Sequence, residues 1–161
     1  MRKLSCLALA MLVAFGAASA HADSGLTELE YLYRYISILG TFGVQAASVD
    51  APKTEIGRFE DRRITSFDQC KIVAHPDDNT VYLAAVYFPE GNADETRVLS
   101  MLLALNREYK YDGNADALEK MEAQAALKVA LDGGDAEYCG YQLIRESENG
   151  LVYIGASREE G

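Results

Sequence analysis

Residues 64–88 read ITSFDQCKIVAHPDDNTVYLAAVYF. Two runs rich in β-branched and aromatic residues, Ile64 to Ala74 and Thr80 to Phe88, flank Pro76-Asp77-Asp78-Asn79. Proline presets the φ of a turn, and Asp and Asn side chains bond back to local backbone, so the stretch is predicted to be a β-hairpin. A second hairpin is predicted near the C-terminus, with strands at about 138–146 and 150–157 around Glu148-Asn149-Gly150. Asn-Gly supplies the two positive φ angles that a tight hairpin turn needs.

The segments outside these hairpins have helical periodicity. From Thr27, apolar residues recur at Leu29, Leu32, Tyr33, Ile36, Leu39, Gly43 and Ala46, and Thr27-Glu28-Leu29-Glu30 matches a capping box. Gly40 and Gly43 near one face suggest close packing against a partner element. A second helix, capped by Asn92 or Asp94 and running to about Tyr109, would turn Val98, Met101, Leu102 and Leu105 inward. A third is expected from about Asp116 to Leu131, stopped by Gly133-Gly134. The order α-β-β-α-α-β-β implies an α+β fold: a small antiparallel sheet of two hairpins with about three helices on one face. The alternative is a mostly α domain in which Leu127 to Leu143 continue as helix.

The chain begins with Arg2 and Lys3, continues through an apolar stretch from Leu4 to Ala18, and reaches Ala20-His21-Ala22. These are the three parts of a secretory signal peptide, so residues 1–22 are read as a cleaved leader and 23–161 as one mature domain. The apolar stretch is shorter than a bilayer span needs. Cys6 stands at the start of that stretch, ahead of its continuous apolar core, instead of at its end, which argues against a lipid anchor. The expected location is periplasmic or secreted, with no membrane attachment after cleavage.

Removing the leader takes 2 of the 15 Lys and Arg and none of the 25 Asp and Glu, leaving 13 cations against 25 acids and a formal charge of −12. Polyanions and anionic lipid faces are repelled by such a surface, so nucleic acid is not an expected partner. A cationic protein is. Two cysteines remain, Cys70 and Cys139, and an even count in an exported chain is most simply one disulfide.

The chemistry-bearing residues are sparse. His75 is the one histidine left after cleavage, which excludes multi-imidazole zinc sites within one chain. Cys70 and His75, five residues apart, would point to opposite faces of one strand, which prevents the thiol from being activated. Asp112-Gly113-Asn114-Ala115-Asp116 resembles the start of a calcium loop, but Ala117 and Ala123 stand at its sixth and twelfth positions, where Gly and Glu belong. Asp132-Gly133-Gly134-Asp135 lacks a phosphate-binding lysine and reads as a helix stop. No catalytic residue, cofactor site or metal site is therefore assigned.

All ten tyrosines lie in the mature segment, and Trp is absent. Tyrosine offers a rigid apolar ring with a polar tip, suited to core edges and to recognition surfaces alike. Tyr31 and Tyr35, which share a helix face, and Tyr109 and Tyr111, which flank a turn, form the candidate binding surface. These readings converge on an exported acidic protein-binding module, with an inhibitor or immunity-type role against a cationic cell-envelope hydrolase as a concrete form. The alternatives are a small envelope enzyme using acidic residues and a self-associating structural component.

Overall fold

The computed structural model of the protein describes residues 25–46, 62–111 and 117–158, and the backbone of 53–56. The segment 1–22 read as a leader and the calcium-loop candidate at 112–116 lie outside the described residues. The fold is α+β: three helices, α1 (Glu28–Thr41), α2 (Glu95–Leu105) and α3 (Ala117–Leu131), pack on one face of a seven-stranded antiparallel sheet. The strands are β1 (Lys53–Ile56), β2 (Arg63–Phe67), β3 (Cys70–Ala74), β4 (Val81–Pro89), β5 (Ala136–Tyr138), β6 (Tyr141–Glu148) and β7 (Leu151–Ser157), ordered β1-β2-β3-β4-β7-β6-β5 across the sheet. Two meanders, β1–β4 and β5–β7, thus join through β4 and β7. The helical alternative for 127–143 gives way to a helix stop, a short strand and a turn.

The turn at Pro76 and the Asn149-Gly150 hairpin form as the residue types dictate, the latter with φ of 52° and 78°. Ile64–Ala74, however, is two strands instead of one. Asp68 and Gln69 adopt φ of 41° and 60° and fold β2 back on β3, with Phe67 opposite Cys70. Asp tolerates this left-handed region better than most residues, and the bend brings its carboxylate to Arg97.

The capping box at the start of α1 is present: the Glu30 N–H donates to Thr27 Oγ1 at 3.4 Å, and the Thr27 N–H donates to Glu30 Oε2 at 2.9 Å. Backbone and side-chain bonds from Thr27 hold the Glu30 carboxyl below its usual pKa. The core-facing stripe of α1 differs from the one expected. Tyr31, Tyr35, Ile38 and Leu39 are fully buried, whereas Leu29 and Tyr33 are 78% and 66% exposed and Ile36 is also exposed. Gly40 and Gly43 have nothing within 4 Å of where a Cβ would stand, so they are not packing devices.

Helix α2 lies between α1 and α3, and every residue from Val98 to Leu105 is buried. Asp94 caps its start through the Arg97 N–H at 3.0 Å. Its C-terminal carbonyls have no basic residue in their own last turn. Arg34 of α1 serves instead, donating to Ala104 O at 3.0 Å, to Tyr109 O at 2.9 Å and to Asn106 O. The opposite face of the sheet carries a smaller apolar cluster of Val73, Tyr82, Leu83 and Ala85 with Ile64 and Ile144 beside it. There Lys71 Nζ lies 5.8 Å and 5.9 Å from the Tyr87 and Tyr153 ring centroids.

Candidate functional site

The tyrosines chosen from sequence as a binding surface are mostly core. Tyr31 and Tyr35 stack at 6.2 Å between ring centroids, Tyr35 meets Phe67 edge-on, and Tyr109 is 1% exposed. Tyr111 is half-buried, with the Arg34 guanidinium 5.4 Å from its ring centroid. The sharing of a face by Tyr31 and Tyr35 was legible; that the face points inward was not. Three apolar rings in one α1–sheet interface are worth more buried than exposed, and the polar Glu30 and Ser37 take the solvent side.

The expected disulfide is also corrected: both cysteines are free, Cys70 buried and Cys139 exposed. Register explains why. Cys70 pairs across to Val86, Val86 to Ile154 and Ile154 to Arg145, so β6 lies three strands away. Cys139 sits in the β5–β6 turn, beyond Tyr141 and further along β6 from Arg145. At ~4.8 Å per strand and ~3.3 Å per residue the two are about 20 Å apart. A bridge requires a Cα separation below ~7 Å. Burial pushes the Cys70 thiol up to about 12, so it is not a nucleophile at neutral pH.

His75 closes the β3–β4 turn, its N–H donating to Thr80 O at 3.0 Å, and its ring lies 4.8 Å from that of Tyr82. Tyr82 belongs to the sheet face opposite the helices and Cys70 to the helix side, so thiol and imidazole are separated as expected from their spacing. The buried Glu28 and the partly buried Asp68 and Asp94 are tied to arginines. Glu28 pairs with Arg63 Nε at 2.9 Å and accepts from Thr65 Oγ1 at 2.5 Å; Asp68 and Asp94 both hold Arg97, at 3.2 Å and 2.6 Å. These pairs fasten α1 to β2 and the β2–β3 turn to α2. Among the described residues no group of three His, Cys, Asp or Glu side chains is placed to hold a metal ion.

A cleft of about 560 Å³ lies elsewhere, between the Gly133–Asp135 loop and β6 residues Gln142, Ile144 and Arg145. Gly133, at φ +79°, and Gly134 end α3. Gly134 has a packing reason to be glycine, because a Cβ there would stand 2.9 Å from Val129 Cγ1. Among the described residues Asp135 is the one carboxylate lining the cleft, so a pair of acids for glycoside hydrolysis is not seen there.

The cleft borders an incomplete sheet edge. β5 covers β6 only at Tyr141, Gln142 and Leu143. Glu148 and Leu151 close a two-residue hairpin, so Glu148, Glu146 and Ile144 spend their backbone groups on β7. Arg145 and Ser147 point theirs outward, past the end of β5. The Gly133–Asp135 backbone makes no hydrogen bond to β6 among the described residues. Glu146 and Glu148 stand on the sheet face away from the helices, opposite Tyr153 and Leu151, and neither forms an ion pair among the described residues. Burial, with Glu148 adding repulsion, raises the pKa of Glu146. Sequence reasoning missed this edge because β5 is only three residues long and its turn, Cys139-Gly140, lacks the usual hairpin dipeptide.

The fold and site define a class by architecture: an α+β protein with three helices on one face of an antiparallel sheet whose acidic penultimate strand is partly uncovered. No protein-family model, no curated protein and no solved structure matches the chain.

Proposed function

We propose that the protein is an acidic docking module, exported by its leader, that binds a cationic protein; inhibition of a cationic cell-envelope hydrolase is its concrete form. One observation supports the reading above the rest. Glu146 and Glu148 lie two residues apart on one sheet face without an ion-pair partner among the described residues, on the strand whose Gln142–Arg145 segment lines a cleft of about 560 Å³, in a chain of net charge −10. Like charges held together this way are a standing cost that a cationic surface relieves, and the field of the whole molecule steers that surface toward it. Glu28, Asp68 and Asp94 are already paired with arginines, so they are spent on the fold.

The experiment is titration of residues 23–161 with a purified cationic peptidoglycan hydrolase, read by calorimetry and by the hydrolase's clearing of cell-wall suspensions. Binding that weakens as salt rises, with parallel loss of hydrolase activity, is expected. Absence of heat and of inhibition at low ionic strength, across a panel of such enzymes, sinks the reading. No helix among the described residues is long and apolar enough to cross a membrane, so the assay needs no detergent on that account.

A further inference from the structure

The open half of β6 has a geometry that goes beyond general charge attraction. We propose that it accepts a strand: an extended segment of the cationic partner adds to the sheet edge alongside Arg145–Glu148, with Lys or Arg at alternate positions opposite Glu146 and Glu148. The inference rests on the docking reading above and names how that docking is made.

Three features carry it. The outward N–H and C=O groups of Arg145 and Ser147 continue the ladder that β5 begins through Tyr141 and Leu143, so an incoming strand prolongs an existing register. Space opens at the start of this edge, because the cleft reaches Arg145 and Gly133 and Gly134 on its far wall carry no side chains. Side-chain complementarity is fixed by the pleat. Tyr87, Tyr153 and Glu146 are cross-strand neighbours on the face away from the helices, and the next residue in that row belongs to the incoming strand. A cation there meets Glu146 directly, and a second cation two residues on meets Glu148. The residue between them falls on the helix side, beside the small Ser147 and the exposed Arg145.

Acids along a sheet edge also serve to prevent edge-to-edge aggregation. The two roles make different forecasts for a probe peptide, acetyl-Val-Lys-Val-Lys-Val-amide carrying a fluorophore, titrated against residues 23–161 and followed by anisotropy. In the proposed register the lysines face the glutamates, and the valine amides bond to Arg145 and Ser147. N-methylation of the valine amides is expected to weaken binding at least tenfold, whereas N-methylation of the lysine amides leaves it within about twofold. On the protein side, Ser147→Pro removes one outward N–H without touching the β6–β7 ladder and should likewise lose at least tenfold, with circular dichroism and Tm verifying the fold. Glu146→Gln with Glu148→Gln should weaken the unmodified probe and flatten its salt dependence.

Equal binding of both N-methylated probes overturns strand addition, as does absence of saturable binding at low ionic strength. The methylated probes keep the proposal falsifiable should Ser147→Pro not fold. If a cationic hydrolase binds wild type and Ser147→Pro alike, docking stands and strand addition falls. If neither hydrolase nor peptide binds, the docking reading falls with it.

Discussion

Truncating Tyr31 to alanine would open a void under α1, where the ring stacks on Tyr35 and its hydroxyl lies 3.9 Å from Cys70 Sγ. Tyr31→Ala is expected to cost about 3–5 kcal/mol, whereas Tyr33→Ala, two positions away and 66% exposed, should stay within about 0.5 kcal/mol. Urea melts of both variants check the contrast. Periodicity alone could not rank these stripes, because Leu29-Tyr33-Ile36 and Tyr31-Tyr35-Ile38 are both apolar at helical spacing; what decides is the shape of the sheet beneath. The cysteines give a second residue-level outcome. A thiol reagent should add once to native chain 23–161, at Cys139, and twice after unfolding, and reductant should leave Tm unchanged. Two native adducts, or none, would contradict the free and unequally buried thiols. Composition pointed to a disulfide because cysteine count and compartment carry no information about register.

Arg34 shows how one element completes another. It lies on α1, yet it satisfies the carbonyls at the end of α2, and burial lowers its pKa. Arg34→Met should cost about 2 kcal/mol, since buried acceptors lose charged donors, and Arg34→Lys should recover only part of that because an ammonium cannot span three carbonyls. Thermal melts of the two variants give the ordering. At the β6 edge, the sign of the pH effect follows from the raised Glu146 pKa. The folded protein holds that proton more tightly than the unfolded chain, so the ionised carboxylate subtracts stability above its native pKa and the loss disappears as pH falls through it. Glu146→Gln is therefore expected to raise Tm slightly at neutral pH and to lose that advantage in acid, which paired melts at the two conditions resolve. Elements with strong local signals were legible: the capping box, the Asp94 cap, the Gly133-Gly134 stop and the Asn149-Gly150 turn all stand where the residues place them. The Asp68-Gln69 turn was not, because neither residue type announces positive φ within a β-branched run.

Across the whole molecule, the α+β class followed from the alternation of hairpin and helix patterns, while strand order did not, because nothing local says that β4 will pair with β7. The candidate edge was legible only as scattered acids; it became a site when the short β5 left Arg145 and Ser147 uncovered. The β4–β7 ladder joins the two meanders through seven cross-strand pairs, from Leu83 with Ser157 to Pro89 with Leu151. Its consequence is kinetic. The hairpins within each meander close over short loops and form early, whereas β4 meets β7 only after the chain between them, α2 and α3 included, has been drawn in, so this closure should dominate the entropic barrier to folding. Substitutions in the ladder, such as Val86→Ala and Ile154→Val, should then slow refolding in proportion to the stability they remove, as should Gly150→Ala at the early-formed β6–β7 turn, with the unfolding limb left nearly unchanged. Stopped-flow chevrons would separate the two limbs, and a ladder variant that alters only the unfolding limb would place the rate-limiting closure elsewhere in the chain.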